Sequence, residues 1–327
     1  MNTINPILSI CIPTRDRVEI IVNTLESIYS SNVDNLLFEV VIYDSSEVSD
    51  LQLVIQNKFP YDNLFYKKGK NDGYMNLIHA LAMGKGLFLK LHNDYSVFCD
   101  STLKTLIDSI NNNKEKQSFL FFSNDSPFNF EYKLCTTFDD FLNTVTYYSS
   151  WSTMFGIWKT DFDQVCDIDI NPMFPHTSLL FALADEKRDY VIYNKKHFDN
   201  QPLSKKGGYN LYETFAVTFL NMVKSCLEKK QITYTTFEHV KRDLLKKFLF
   251  YWYIQISVMK NNFSFEMLNI KKNMKVHYTS YDYYYMIIHG YFFGFKNNKW
   301  VSKFFRFYNV IKRELLKNKS TIENKTK

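Results

Sequence analysis

The sequence predicts an α/β protein, with a mostly parallel sheet flanked by helices and a helical C-terminal extension. Three observations predict it. Apolar runs of strand length alternate with helix-period segments from residue 7 to residue 123. Several of those segments end abruptly in polar residues, in "PTRDR", "DSS", "KNDG" and "HND". Beyond residue 205 the strand-like runs give way to amphipathic and aromatic-rich stretches. Strand–helix alternation builds parallel sheets with crossover helices, and such sheets bind ligands beyond the carboxyl ends of their strands.

The elements follow in order. "ILSICI" (7–12) is a buried strand, ended by Pro13 because proline cannot donate to a ladder. Ile21, Leu25 and Ile28 recur at helical spacing and predict a helix over 17–30. "FEVVIYD" (38–44) is a second strand that finishes in Asp44. "SDLQLVIQNKF" reads as a helix and "NLFYKK" as a third strand. "GYMNLIHALAMGKG" is a helix closed near Gly84 or Gly86. "LFLKLHND" is a fourth strand whose tip carries His92, Asn93 and Asp94. A helix over 101–112 and a strand over 119–123 complete the alternation.

Proline and glycine cluster in "NQPLSKKGGYN", which places a boundary there. The expected domains are 1–204, carrying the sheet, and 205–327, a helical region. In the latter, Val240, Leu244, Phe248 and Trp252 recur every four residues. "YDYYYMIIHGYFFGF" is dense in aromatics, and "SKFFRFYNVIKRELLKNK" is basic and amphipathic. Lysines interleaved with aromatics suit an anionic membrane surface. Packing within the domain or in an oligomer is the alternative.

The totals bound the function. The chain has 327 residues, 46% hydrophobic and 23% charged, so it folds as one large domain plus an addition. A net charge of +6 favours acidic ligands only weakly, and no nucleic-acid-binding module is present. Cysteines stand at 11, 99, 135, 166 and 226 with no CxxC spacing, which fits neither a disulfide framework nor a zinc knuckle. A reducing, cytoplasmic compartment is expected. The N-terminal residues lack the pattern of a secretory signal, and no apolar run reaches the ~20 residues of a membrane span. No glycine-rich fingerprint follows the first strand, which argues against dehydrogenases and methyltransferases.

"LSICIPTRDR", "VVIYDSS" and "KNDGYMNLIHALAMGKGLFLKLHND", in this order and spacing, resemble the opening of family 2 glycosyltransferases of the GT-A fold. The resemblance covers roughly residues 7–100, loosens through about 200 and is absent beyond. It implies a GT-A (Rossmann-like) domain that binds a nucleotide-diphosphate sugar, with UDP the expected nucleotide. It also implies transfer, with inversion, to a glycan or lipid-linked glycan in surface polysaccharide biosynthesis, at the inner face of the cell membrane. A metal-independent transferase and an inactive nucleotide-binding scaffold are the alternatives.

The same resemblance distributes roles. Pro13, Thr14 and Arg15 form the loop against the nucleotide, and Arg15 suits a phosphate. Asp44 meets the base or ribose; an Asx-turn with Ser45 and Ser46 is the alternative. Asn71 and Gly73 form the turn beneath the base. Asp94 matches the second aspartate of the metal-binding DxD motif, whereas His92 stands where the first is expected. A divalent cation, Mn²⁺ or Mg²⁺, would sit on Asp94 and His92, and imidazole suits Mn²⁺ better. Asn93 lies between them in the donor site. His176, before "TSLLFALA", stands where the family places its acidic base; it is the expected base or a third ligand, with Asp185 and Glu186 behind it. Trp151 and Gly156 are assigned to the acceptor pocket, and "SKKGGYN" to a loop over the phosphates.

Overall fold

The computed structural model describes residues 5–124, 128–185, 187–203 and 207–296. The chain divides into two compact units, one of residues 1–204 with 218–241, the other of 205–217 with 242–327.

The first unit opens with β1 (Leu8–Thr14), α1 (Val18–Tyr29), β2 (Phe38–Asp44), α2 (Leu51–Lys58) and β3 (Leu64–Lys68). A 3₁₀ turn at Gly73–Met75 leads into α3 (Asn76–Met83), β4 (Phe88–Leu91) and the short β5 (Ser96–Phe98). Then come α4 (Thr102–Asn113), β6 (Phe119–Asn124), β7 (Tyr132–Cys135) and α5 (Phe138–Val145). Two further 3₁₀ turns, Thr146–Ser150 and Ser152–Met154, precede β8 (Gly156–Trp158), α6 (Lys159–Val165), α7 (Pro175–Ala182), β9 (Tyr190–Lys195) and β10 (Phe198–Asn200).

The main sheet has the order β3-β2-β1-β4-β8. Its first four strands are parallel, and β8 closes the edge antiparallel to β4. A second sheet, β6-β9-β7, pairs β6 and β9 in parallel, and β10 pairs with β5. The core lies where α1 and α4 cover the main sheet: Ile21, Leu25, Leu103 and Ile110 pack with Ile10, Ile12, Val40 and Ile42. Each such buried aliphatic side chain contributes about 1.5–3 kcal/mol over an exposed one. Both faces of β1 and β2 are buried, which is why they read as continuous apolar runs.

One expectation is corrected. β1 does not stop at Pro13 but runs through it to Thr14, in register with Tyr43 and Asp44. Pairing of β1 with β4 ends at Cys11–Leu91, so the missing N–H of Pro13 breaks no bond on that side.

The first unit also holds α8 (Leu220–Glu228) and most of α9 (Tyr234–Asp243). In the second unit, β11 (Gly207–Asn210) pairs with β12 (Ser264–Glu266), beside α10 (Phe250–Tyr253), α11 (Ile270–Met274) and α12 (Ser280–Lys296). Tyr212 is buried there and donates to Leu249 O at 3.0 Å. Leu244–Leu249 and Ile254–Val258 are π-helical. Their wider turns shift the buried stripe from Leu244 to Leu249 and Ile254, leaving the expected Phe248 only half-buried. Among the described residues no helix is long and apolar enough to cross a membrane.

Candidate functional site

Because β1 and β4 are parallel neighbours, their carboxyl ends lie side by side. Thr14 Oγ1 donates to Asp94 Oδ2 at 2.8 Å, and Arg17 Nη1 donates to Asp94 Oδ1 at 2.9 Å. The carbonyl of Asp94 accepts from Thr24 Oγ1 of α1, also at 2.8 Å. Asp94 is 2% exposed, whereas the Arg17 side chain is 36% exposed. The Arg17 guanidinium stands 5.7 Å over the ring of Tyr95, whose hydroxyl accepts from Asn93 Nδ2. Burial pushes the Asp94 carboxyl above its ordinary range, and Arg17 and Thr14 pull it back in part.

The loop between β1 and α1 turns at Asp16, whose φ of 53° is left-handed. Arg15 and Arg17 therefore part company. Arg15 is half exposed and pairs with Asp16 at 3.3 Å, while Arg17 reaches Asp94. The N–H of Asp16 donates to Ser46 Oγ, and Ser45 N donates to Thr14 O, so the ends of β1 and β2 are tied together.

Asp44 is fully buried beneath this tie. Its Oδ1 accepts from the N–H and hydroxyl of Ser46, its Oδ2 accepts from Tyr66 Oη at 2.9 Å, and Lys68 Nζ lies 3.6 Å away. Burial alone would raise its pKa, but the hydrogen bonds from Ser46 and Tyr66 outweigh it and hold the carboxyl below the usual range. Its described partners are Ser46, Tyr66 and Lys68, at the strand end where a contact with the base or ribose is expected. The bonds from the Ser46 N–H and hydroxyl form the Asx-turn, and the bond from Tyr66 and the ion pair with Lys68 tie Asp44 to the β2–β3 edge.

Asn71 and Gly73 occupy an exposed turn. Gly73 has φ +57°, and its N–H donates to Asn71 Oδ1. Asn76 at the start of α3 organises this turn, donating to Ser45 Oγ and Asn71 Oδ1 and accepting from Asp72 N.

His92 is 2% exposed. Its Nε2 donates to Ser96 O at 2.6 Å, and its ring meets Phe98 and Phe198 edge-on. Burial first, and then Lys90, lower its pKa to about 3, so the imidazole is neutral. The donor set does not fit the divalent cation expected here. One ring nitrogen of His92 is committed to a backbone carbonyl, and each oxygen of Asp94 already accepts a hydrogen bond, one from Thr14 and one from the positively charged Arg17. Among the described residues no three His, Cys, Asp or Glu side chains are grouped to hold a metal ion. Lys90 is also buried, with its ammonium bonded to the carbonyls of Leu91 and Thr153.

The segment 149–152, expected to border the acceptor, meets the tip of β4 on one side and α7 on the other. Ser152 Oγ lies 3.5 Å from Asn93 Oδ1. From the opposite side, His176 Nε2 donates to Ser150 O at 2.9 Å and Thr177 Oγ1 to Ser149 O. His176 lies inside α7 and is buried. Its Nδ1 is buried without a partner among the described residues. Burial lowers its pKa to about 4. Trp151 stacks on Tyr148 at 4.4 Å, and Phe128 meets Tyr148 edge-on. Gly156 is a packing glycine of β8, since a Cβ there would meet the Phe88 ring at 2.3 Å; it is not placed on an acceptor surface. Asp185 ends a 3₁₀ turn, while Glu186, residues 204–206 of the proposed phosphate loop, and the basic stretch beyond 296 lie outside the described residues.

The structure thus brings Thr14 and Asp94 together, and it separates Arg15 from them. Sequence reasoning missed Arg17, Tyr95, Tyr66 and Asn76. Arg17 stood within "PTRDR", but only the turn at Asp16 reveals which arginine points inward.

No family profile and no curated protein sequence matches this chain. Solved structures do. The chain is similar to residues 1–349 of S. aureus TarS in complex with UDP-GlcNAc, at 15% identity over 82% of this chain and 78% of that one, with a TM-score of 0.57. The same protein in complex with UDP gives 16% identity, 78% and 75% coverage, and a TM-score of 0.55. The mannosyltransferase PcManGT from Pyrobaculum calidifontis, in complex with GDP-Man and Mn²⁺, gives 11% identity, 89% and 86% coverage, and a TM-score of 0.52. The chain spans 43% of the longer TarS chain. At these identities the likeness is one of fold, and the fold is that of GT-A glycosyltransferases.

Proposed function

We propose that this protein is a glycosyltransferase that takes a nucleotide-diphosphate sugar as donor. The observation that carries the reading is the joined edge Thr14–Asp94–Arg17, which lies at the carboxyl ends of parallel strands in a GT-A fold. Fold neighbours solved in complex with UDP, UDP-GlcNAc and GDP-Man support it. The edge carries cations suited to a diphosphate: Arg15 and Arg17 follow β1, and Lys67, Lys68 and Lys70 stand at the end of β3.

In this reading the nucleotide lies across the ends of β1 and β2. Asn71, Gly73 and Asn76 shape its base pocket, and Asp44 fixes that pocket from below. An acceptor hydroxyl stacked near Tyr148 and Trp151 attacks the anomeric carbon from the face opposite the diphosphate. The new C–O bond forms as the bond to the diphosphate breaks, the configuration inverts, and the leaving group carries away the negative charge. In this reading His176 Nδ1 takes the acceptor proton, which requires acceptor binding to open this buried nitrogen and raise its pKa from about 4; its lone pair is the free one because Nε2 carries the donated hydrogen. A glycan or lipid-linked glycan is the acceptor class. The exposed apolar and aromatic residues Tyr281, Tyr284, Tyr285, Ile288 and Phe292 of α12, near Lys271, Lys272 and Lys275 in sequence, support attachment of the second unit to an anionic membrane surface.

Calorimetric titration with UDP, GDP and CDP tests the donor reading, followed by hydrolysis of the matching sugar nucleotides. Saturable binding of one nucleotide and slow release of free sugar are expected. Binding of none of them would refute the reading.

A further inference from the structure

We infer that this donor site, on the reading above, holds the diphosphate with the guanidinium of Arg17 in place of a divalent cation. A cation site at this strand tip needs carboxylate oxygens turned outward and an excess of negative charge. Here one buried carboxylate, Asp94, has one oxygen bonded to the Thr14 hydroxyl and the other to Arg17. The second acid that a cation would share is replaced by the imidazole of His92, bonded to Ser96 O and enclosed by Phe98 and Phe198. Arg17 already neutralises the Asp94 carboxylate, so a dication would meet a fixed positive charge beside a compensated one.

The same geometry equips Arg17 for phosphate. It spends one N–H on Asp94 and keeps further N–H donors, which have no partner among the described residues. Its side chain is 36% exposed, and the Tyr95 ring beneath it and the Asp94 carboxylate beside it fix its plane. A planar fork held on one side by a buried carboxylate presents its other side to a second oxyanion in bidentate fashion. Asp94 is then the positioning residue and Arg17 the group that touches the ligand.

The test is calorimetry with UDP, GDP or CDP, whichever binds, and with its nucleoside, in Mn²⁺ and in excess EDTA. The proteins are wild type, Arg17→Lys and Arg17→Ala. The nucleotide Kd should agree within about twofold in Mn²⁺ and EDTA. Arg17→Ala should weaken the nucleotide at least ~20-fold and the nucleoside less than ~3-fold, and Arg17→Lys should fall between because it loses the fork but keeps the charge. Arg17→Ala leaves a buried carboxylate uncompensated, so a thermal melt accompanies each variant. If it does not fold, the pair Arg17→Met with Asp94→Asn replaces it, with the same expected losses. Nucleotide binding that EDTA weakens tenfold or more overturns this inference but leaves the donor site standing, as does equal loss of nucleotide and nucleoside. Failure of wild type to bind any nucleotide overturns both.

Discussion

Thr14 Oγ1 and Asp94 Oδ2 lie 2.8 Å apart although 80 residues separate them in sequence. The bond closes the seam between β1 and the tip of β4. A buried carboxylate that loses a donor keeps the cost of its desolvation and loses the compensation. Thr14→Val keeps the shape and removes that donor. It should cost about 1–3 kcal/mol of stability, read by denaturant titration, and weaken nucleotide binding about tenfold. Thr14→Ser should restore most of both. Unchanged binding in a stable Thr14→Val protein would detach this bond from the donor site.

Asp44 and Tyr66 offer a second test at the neighbouring edge. Asp44 should act by holding Ser46 and Tyr66 in place, since its oxygens are turned to them. Asp44→Asn puts an amide N–H₂ where an acceptor is needed, so a loss of about 1–3 kcal/mol is expected. Tyr66→Phe should cost about 1 kcal/mol, and the double mutant should be less damaged than the sum. Additive losses would show that the two residues act separately.

The alternation of strands and helices was legible because period and burial are written in the same residues: β1 and β2 are apolar on both faces, and α1 carries Ile21, Leu25 and Ile28 on one. The polar strand tips were legible because an apolar run that ends abruptly in His-Asn-Asp stands out in the sequence, whether the tip binds a ligand or turns the chain. What each tip residue does was not, because that depends on backbone direction. Arg15 and Arg17 exchange roles through one positive φ at Asp16. His92 follows the strand inward and spends its Nε2 on a carbonyl four residues ahead. Gly156 reads as a pocket glycine, although its cause is the Phe88 ring on a neighbouring strand.

Three buried histidines set the acid limit of the fold. Burial lowers the pKa of His92 to about 3 and those of His176 and His197 to about 4. Each folded value lies below the unfolded value near 6.5, so the unfolded chain binds the extra protons. Their stabilisation is therefore full above pH 6.5 and is lost as pH falls toward 4. Near pH 5 the three together make stability fall by about 4 kcal/mol per pH unit. Urea midpoints at pH 7, 6 and 5 measure this. His197→Leu, which removes a buried Nε2 with no partner among the described residues, should flatten the slope by roughly a third. A slope unaffected by the substitution would mean that His197 titrates normally.

Lys90 works in the opposite pH range. Burial lowers its pKa to about 7, and among the described residues no carboxylate pairs with it; its ammonium bonds only to the carbonyls of Leu91 and Thr153. Between pH 7 and the unfolded value of ~10.4 the unfolded chain holds more protons, so this group makes stability rise with pH. From pH 7 to 8.5 its contribution should be about 2 kcal/mol. Lys90→Met should remove that gain, and denaturation of both proteins at the two pH values isolates it, because the other titrating groups are shared. Equal gains in both proteins would show that Lys90 stays charged in the fold.

The last prediction concerns α12 in the second unit. Met286 and Gly290 are buried, with Gly290 against the Tyr253 ring, while Tyr281, Tyr285, Ile288 and Phe292 recur along an exposed face. A soluble helix would carry polar residues there. Aromatic side chains suit the headgroup boundary of a bilayer, and nearby lysines suit its anionic surface. If this face rests on a membrane, the protein should partition onto vesicles containing phosphatidylserine and leave neutral ones, and binding should fall as salt shortens the reach of charge. Tyr285→Ser combined with Phe292→Ser should reduce partitioning at least tenfold, equivalent to about 1.4 kcal/mol, while nucleotide binding in the first unit is unchanged. Co-sedimentation measures the first and calorimetry the second. Equal sedimentation of the variant and the parent would exclude α12 as the attachment surface. A concentration-dependent rise in mass without vesicles, lost in the variant, would assign the face to a second copy of the chain instead.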